Sequence, residues 1–324
     1  MRAAVLHGVG DLRIEQVPEP EPNDANVIVK VVKASICNGS DGAIYQGKRD
    51  FEQTYADIYS WKLPAVWGHE CTGSLVHVGK AIEDLAVGDR VTSWSTWGAF
   101  AEYHELYPQR LVVQKLSACI SPDEGSVMEL LGSTMYIAAE VEIGQVVVVF
   151  GLGPTGLLLA QEARLSGAVE VVGIDRHQNR LEKAIELGVD RVIDVRREDP
   201  VEVVRRSYGS CDVVIDATGA NVIDSAVKMI RTKGKYLVYG CSDGSVTFDA
   251  GAAFYKGIDF VGVKSPSRVR VADLMRRGEQ LVARGKLKIA PLITHHLPLE
   301  EVREGVEMCC AHPEKCIKIV IDVQ

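Results

Sequence analysis

The sequence lacks any apolar run close to the ~20 residues that a membrane-spanning helix needs. It also lacks a basic stretch, since 36 lysines and arginines stand against 44 aspartates and glutamates and give a formal net charge of −8. An acidic chain without a basic stripe is not typical of nucleic-acid-binding proteins. Its first residues do not form the long apolar segment of an export signal. We therefore expect a cytoplasmic protein that binds neither nucleic acid nor a membrane.

The eight cysteines include no C-x-x-C pair, the spacing typical of structural zinc sites. They are also too sparse for a secreted scaffold held together by disulfides. Their positions are 37, 71, 119, 211, 241, 309, 310 and 316. A functional cysteine in this chain is therefore expected to be a single metal ligand or nucleophile, and Cys309, Cys310 and Cys316 are expected to be structural.

Two patterns divide the chain. In residues 1–140, short β-branched runs alternate with Gly, Pro, Asn and Asp, which is typical of strands joined by turns. In residues 141–272, apolar strands alternate with helical segments, which predicts a parallel sheet covered by helices on both faces. Residues 273–324 are expected to return to the first domain. The predicted strands of the middle part are Val146–Phe150, Val169–Ile174, Arg191–Asp194, Asp212–Asp216, Tyr236–Tyr239 and Phe260–Val263, with helices near 157–165, 178–187, 199–207 and 221–231.

A glycine-rich turn follows the first of these strands and has the spacing G-x-G-x-x-G. Its members are Gly151, Gly153, Pro154, Thr155 and Gly156. Such a pattern alone is weak, but here a strand precedes it, a helix follows it, and the next strand ends in Asp175. The glycines would allow a tight turn and the approach of a pyrophosphate, which the free N–H groups of the helix would bind. The alternative is a purely structural turn in an α/β domain.

The residue at the end of the second strand, Asp175, favours NAD over NADP as the nucleotide. A carboxylate there can accept hydrogen bonds from the ribose hydroxyls and would repel a 2′-phosphate. Arg176 complicates this prediction, because a neighbouring guanidinium can hold that phosphate. Arg180 could reach the same ribose, or it could be an ordinary surface arginine of its helix.

Three other stretches offer candidate metal ligands: Cys37 after an early strand, His69 in Gly-His-Glu, and Glu129 in Met-Glu-Leu-Leu-Gly. A thiolate, an imidazole and a carboxylate form a reasonable catalytic zinc set with a fourth position left open. Singly, each signal is weak, since a lone cysteine is most often a small buried apolar residue. No spacing rule connects the three positions.

Taken together, these motifs resemble the zinc-dependent branch of the medium-chain dehydrogenase/reductase family. The likeness covers essentially the whole chain, including Gly88-Asp89-Arg90-Val91, Gly98-Ala99-Phe100-Ala101-Glu102-Tyr103 and Lys318-Ile319-Val320-Ile321. The resemblance implies an α/β protein with a GroES-like, β-rich catalytic domain and a doubly wound, parallel-sheet Rossmann domain for NAD. It implies hydride transfer between NAD and a secondary alcohol or polyol, or the corresponding ketone, with one catalytic zinc per chain.

The resemblance also implies roles for single residues. Cys37, His69 and Glu129 would bind zinc. Glu70 would be a nearby group or an alternate ligand, and Asp41 would orient His69. Ser40 would take the proton of the substrate hydroxyl, so the catalytic residues would be Cys37, Ser40 and His69. Lys318 would join the cofactor-binding residues. Relatives often form dimers or tetramers through the last sheet strand, here near Ile258–Val263, so a homodimer or homotetramer is expected.

The chain departs from the family pattern in two respects that matter for its chemistry. The lobe with four cysteines that holds a structural zinc is missing, because Trp94-Ser95-Thr96-Trp97 runs straight into Gly98. No structural zinc is therefore expected. A histidine of many relatives is replaced by Ala43, so the proton relay would run from Ser40 through the ribose to water, or through Tyr45.

Two other functions stay open at this point. One is a zinc-free reductase of the same fold, and the other is a nucleotide-binding protein without catalysis. The identity of the alcohol is open as well. The aromatic side chains of residues 51–61, Trp94 and Trp97 either line a pocket for a larger substrate or simply pack within the β-rich domain.

Overall fold

The computed structural model describes residues 1–49, 62–94, 96–240, 246–262 and 267–324. The chain forms two compact units, the first made of Met1–Gly132 and Ser267–Gln324 and the second of Ser133–Pro266. The domain limits drawn from the sequence, after residues 140 and 272, stay predictions. No helix in the described ranges is long and apolar enough to cross a membrane.

The elements are numbered in chain order. The strands are β1 (Arg2–Gly8), β2 (Asp11–Gln16), β3 (Val27–Ser35), β4 (Ala65–Val66), β5 (Glu70–Val78), β6 (Arg90–Trp94), β7 (Tyr103–Leu106), β8 (Val112–Lys115), β9 (Val146–Phe150), β10 (Glu170–Asp175), β11 (Arg191–Asp194), β12 (Cys211–Asp216), β13 (Ile230–Val238), β14 (Asp259–Gly262), β15 (Ile293–Pro298) and β16 (Lys318–Asp322). The helices are α1 (Asp41–Tyr45), α2 (Pro122–Val127), α3 (Leu131–Ala138), α4 (Pro154–Leu165), α5 (Gln178–Glu186), α6 (Pro200–Tyr208), α7 (Ile223–Met229), α8 (Ala250–Lys256), α9 (Arg268–Ala283) and α10 (Val302–Ala311).

The first unit is built on two sheets. A three-stranded sheet has the order β2-β1-β4, and a seven-stranded sheet has the order β15-β16-β3-β5-β6-β8, with β7 also paired to β3. Its core includes the fully buried rings of Trp67 and Phe100. The long antiparallel pair of β3 and β5 brings Ser35 opposite Glu70, so the end of β3 lies beside the start of β5. This pairing places the two stretches that carry Cys37 and His69 next to each other.

The second unit contains a parallel sheet in the order β11-β10-β9-β12-β13-β14. Residues Val147, Val148 and Val149 of β9 are completely buried, as the continuous apolar run of a strand covered on both faces predicts. The sheet order reverses at β9, whose neighbours are β10 and β12, and such a switch point is where doubly wound sheets bind nucleotides. The predicted fold class is confirmed.

Some elements differ from the prediction. The helix expected near 221–231 ends at Met229, and β13 already begins at Ile230 rather than at Tyr236. The early part of β13 is polar and exposed, and Lys233 has a φ of 57°, so this part of the strand has no apolar signature. The short helices α1 and α8 were not predicted, because five to seven residues are too few to show a helical period.

Candidate active site

A thiol, an imidazole and a carboxylate come together where β3 ends and β5 begins. One ligand atom each of Cys37, His69 and Glu70 lies within 4.8 Å of the other two. Cys37 stands in the turn after β3, and His69 directly precedes β5. The antiparallel pairing of these two strands therefore assembles the cluster from residues far apart in the chain.

The imidazole of His69 is held from two sides. Asp41 Oδ1 lies 3.2 Å from His69 Nδ1, and the other oxygen of Asp41 accepts the backbone N–H of Cys37 at 2.8 Å. The ring of Trp97 packs against the ring of His69 with a centroid distance of 4.6 Å. Burial alone would lower the pKa of His69, but Asp41 and Cys37 raise it well above its ordinary value. The site is thus electronegative and fits a bound cation.

Glu70 is fully buried beside this imidazole. Its Oε2 contacts both Lys318 Nζ and Ser35 Oγ, whereas its Oε1 is buried with no hydrogen-bond partner among the described residues. Lys318 is also buried, and its Nζ donates to the carbonyl oxygen of Ile36 at 2.9 Å. A buried carboxylate next to a thiol and an imidazole matches the donor set that zinc prefers.

Glu129, the third ligand implied by the sequence, lies in the 3₁₀ turn Met128–Leu130. It is not one of the three donors within 4.8 Å. It is nevertheless close enough for electrostatic interactions: burial raises its pKa to about 7, His69 opposes this rise and Glu70 adds to it. The structure therefore places two carboxylates near the thiol and the imidazole.

Two hydroxyl groups were candidates for the proton relay. Ser40 Oγ lies 3.3 Å from His69 Nε2, which is the ring nitrogen that Asp41 leaves free. The hydroxyl of Tyr45 instead donates to Glu307 Oε1 at 2.7 Å, and burial raises the pKa of Tyr45 to about 12. Ser40 is thus the hydroxyl beside the candidate metal ligands.

The glycine-rich turn of the second unit joins β9 to α4. Gly151 has a φ of +83°, a conformation that favours glycine. A Cβ on Gly156 would lie 1.7 Å from the carbonyl oxygen of Gly151, so a larger residue would not fit there. At Gly153 the nearest atom to an added Cβ is Arg180 Nη1 at 3.8 Å, which leaves the backbone open to a ligand. Pro154 and Thr155 form the first turn of α4.

Asp175 ends β10 beside this turn. Its Oδ2 accepts the backbone N–H of Leu152 at 2.7 Å, and its Oδ1 lies 3.0 Å from His177 Nδ1. Arg180 is a weaker partner, with its Nη1 3.9 Å from Oδ2, and Arg176 is exposed. The carboxylate is therefore fixed at the strand end, in the position where a ribose is bound in doubly wound sheets.

Two features of the site were not found from the sequence. The packing of Trp97 on His69 joins residues without any spacing signal, and no pattern could have indicated it. The ion pair of Lys318 with Glu70 had a usable signal, because Lys318 stands within the otherwise apolar run of residues 316–321 and a buried lysine needs a partner. The role of Lys318 in cofactor binding stays a prediction.

The aromatic residues proposed as pocket walls have different outcomes. Trp97 is largely buried, and its ring packs on the rings of Trp67 and His69. Trp94 packs against Val112, Val271 and Met275 within the first unit, as in ordinary core packing. Residues 51–61 lie outside the described residues.

Comparison with known proteins places these features in a family. Residues 23–117 match the model of the alcohol dehydrogenase GroES-like domain, and residues 154–280 match that of zinc-binding dehydrogenases. Sorbitol dehydrogenase of Bombyx mori is 30% identical over 358 positions, which cover 99% of this chain and 98% of that protein. L-threonine 3-dehydrogenase of Bacillus subtilis is 27% identical and covers 95% of this chain and 94% of its own length. The crystal structure of 2R,3R-butanediol dehydrogenase from Bacillus subtilis has the same fold, with a TM-score of 0.87 at 24% identity, covering 100% of this chain and 99% of that one.

Proposed function

Because the chain belongs to the family of zinc-binding dehydrogenases with a GroES-like domain, and is thus an alcohol or polyol dehydrogenase, we propose a cofactor, a metal site and a mechanism for its dehydrogenase reaction. It transfers a hydride between NAD and a secondary alcohol or polyol, or the corresponding ketone, and uses one zinc ion held by Cys37, His69 and a carboxylate. The observation that carries this proposal is the meeting of a thiol, an imidazole and a buried carboxylate, with one ligand atom of each within 4.8 Å of the others. The reaction belongs in the cytoplasm, where the Cys37 thiol stays reduced.

Zinc would supply a Lewis acid that lowers the pKa of the substrate hydroxyl, and NAD would supply the hydride acceptor. Asp41 holds Nδ1 of His69, so Nε2 is the nitrogen available for a metal. Ser40 Oγ lies 3.3 Å from that Nε2 and is positioned to accept the proton of an alcohol bound there. The relay beyond Ser40 would lack the histidine that ends it in relatives, because Ala43 stands in its place.

The third ligand is either Glu129 or Glu70. The resemblance to polyol and threonine dehydrogenases favours Glu129. The ion pair with Lys318 occupies one oxygen of Glu70 and leaves its Oε1 for a metal. Glu70 then serves as an alternate ligand. We expect Glu129→Gln to weaken zinc binding more than Glu70→Gln, as measured by competition with a chelator, and the opposite order would assign Glu70 as the ligand.

NAD is the proposed nucleotide, bound by the second unit. The open backbone at Gly153 and the N-terminus of α4 would receive the pyrophosphate. The fixed carboxylate of Asp175 would accept the ribose hydroxyls.

The direct test of the function combines a substrate panel with a ligand variant. We expect the zinc-loaded protein to reduce NAD with at least one polyol or secondary alcohol. Cys37→Ser should lose both zinc and turnover, whereas Cys119→Ser, which changes an exposed cysteine, should keep both. Zinc-free turnover by Cys37→Ser would indicate a reductase of the same fold without metal, and nucleotide binding without any turnover would indicate a non-catalytic protein.

We also propose that the chain forms a homodimer, or a tetramer of such dimers, through the edge of β14. Phe260 on this edge strand is 44% exposed, and the nearby Phe254 and Tyr255 of α8 are 79% and 87% exposed. On its other side β14 pairs with no described strand, and exposed aromatic side chains at such a sheet edge are typical of interfaces. Sedimentation should show a dimer or tetramer that Phe260→Glu dissociates and Val269→Glu, a control at another exposed apolar residue, does not. A monodisperse wild-type monomer would refute this proposal.

A further inference from the structure

Two carboxylates end neighbouring strands at the carboxyl edge of the parallel sheet. Asp175 is the last residue of β10 and Asp194 the last residue of β11, and the two are paired directly across the ladder. Both side chains are largely buried, with 5% of Asp175 and 10% of Asp194 exposed. Only the first of these carboxylates has a role in the proposed function.

The carboxylate of Asp175 is held mainly by neutral donors. It accepts the backbone N–H groups of Leu152, Arg176 and His177 at 2.7, 2.7 and 2.9 Å. The guanidinium of Arg180 stays 3.9 Å away. Asp175 is therefore held by the backbone rather than by a close guanidinium.

The carboxylate of Asp194 instead binds two arginines. Arg196 forms a bidentate pair with it, Nε to Oδ1 at 2.9 Å and Nη2 to Oδ2 at 2.7 Å, and Arg197 Nε lies 3.4 Å from Oδ2. The hydrogen bonds from Arg196 lower the pKa of Asp194 to about 2, so the pair stays ionised at neutral pH. The negative charge of Asp175 also acts on Arg196 and contributes to the raised pKa of its guanidinium.

A planar guanidinium with parallel N–H groups is the group that proteins use to bind a phosphate in a bidentate manner. Arg196 uses two of its N–H groups to bind Asp194. Its guanidinium nevertheless lies at the strand edge where the 2′-phosphate of NADP would bind. We propose that Asp194 is a second determinant of NAD specificity, because it occupies Arg196 and so withholds this guanidinium from the 2′-phosphate of NADP. This inference rests on the proposed binding of NAD by the second unit and adds a residue to its specificity.

The test is the ratio of the dissociation constants of NADPH and NADH, measured by the fluorescence of the reduced nicotinamide and without any turnover. Asp194→Asn should free Arg196 and improve the binding of NADPH relative to NADH by about fivefold to tenfold, the effect of roughly one charged contact. The double variant Asp194→Asn with Arg196→Ala should return to the wild-type ratio. Arg196→Ala alone should leave the ratio unchanged, because Arg196 is already occupied.

Asp190→Asn is the matched control. Asp190 directly precedes β11, at the end of that strand opposite to Asp194, and it pairs with Arg164. Asp190→Asn removes a carboxylate that binds an arginine but leaves the carboxyl edge of the sheet unchanged. The ratio of the NADPH and NADH dissociation constants should therefore stay at the wild-type value. Circular dichroism of each variant confirms that the second unit is folded.

Three outcomes would overturn the inference. An unchanged ratio in Asp194→Asn would show that Arg196 does not reach the phosphate, and a gain that persists in the double variant would assign the effect to another residue. In both cases the preference of the wild type for NADH would stand, and with it the proposed function. A wild type that binds NADPH more tightly than NADH would instead refute the NAD assignment itself, together with the inference.

Discussion

Replacing Glu162 by Gln should stabilise the second unit, and more so at higher pH. Glu162 lies on α4 and is 3% exposed. Thr134 Oγ1 donates to its Oε1 at 2.8 Å, but its Oε2 is buried with no hydrogen-bond partner among the described residues. Burial raises the pKa of Glu162 from 4.5 to about 8, against the smaller opposing effect of Thr134. The carboxyl group is therefore mostly neutral in the folded protein at pH 7.

The sign of the effect follows from the protons that each state binds. Between pH 4.5 and about 8, the unfolded chain ionises Glu162 while the folded chain keeps it protonated. Stability is therefore lost as the pH rises through this window, and it levels off above it. At about 1.4 kcal/mol per pH unit the upper limit is roughly 4 to 5 kcal/mol, and local relaxation should reduce it to about 2 to 4 kcal/mol.

The assay is urea unfolding of the wild type and Glu162→Gln from pH 5 to pH 9, followed by circular dichroism. The amide has nearly the same shape and does not ionise, so the two proteins should be similar near pH 5 and diverge steadily up to about pH 8. Glu186→Gln, which changes an exposed residue of α5, should follow the wild type throughout. Parallel curves for wild type and Glu162→Gln would refute the argument, because they would show that Glu162 titrates alike in both states.

Other predictions concern the two binding sites. Trp97→Ala should weaken zinc binding by about tenfold to a hundredfold in a chelator competition, because the indole fixes the ring of His69. Trp97→Phe should retain most of the affinity. Equal affinities of the wild type and both variants would show that Trp97 does not position His69. Gly156→Ala should lower the stability of the second unit by about 2 kcal/mol or more, because its Cβ would collide with the Gly151 carbonyl. Gly153→Ala should leave thermal unfolding unchanged but weaken NADH binding in a fluorescence titration, and unweakened binding would place the pyrophosphate elsewhere.

The sequence predicted those parts of the fold that leave a local signature. The strand Val146–Phe150 was placed correctly, because a parallel strand buried on both faces is apolar at every position. The family, the fold class and the enzyme class predicted from the motifs are confirmed. The polar beginning of β13 was missed because it is exposed, and exposure removes the apolar pattern on which such predictions depend.

The candidate metal site could be predicted only in part. The resemblance implied Cys37, His69 and Glu129 as ligands and Glu70 as an alternate ligand. The structure brings Cys37, His69 and Glu70 together, and Glu129 is not one of these three donors. Their meeting depends on the register of β3 with β5, which no spacing in the chain reveals. The packing of Trp97 on His69 is likewise a property of the folded sheet and not of any local motif.

Removal and return of zinc test the central claim most directly. The protein would be freed of metal with a chelator, its zinc content measured, and NADH formation followed with an alcohol that the substrate panel has identified. We predict that turnover disappears with the metal and returns as zinc is added back, reaching its full value at one ion per chain, and that Cys37→Ser shows no such recovery. Undiminished turnover by the fully metal-free protein would contradict the account.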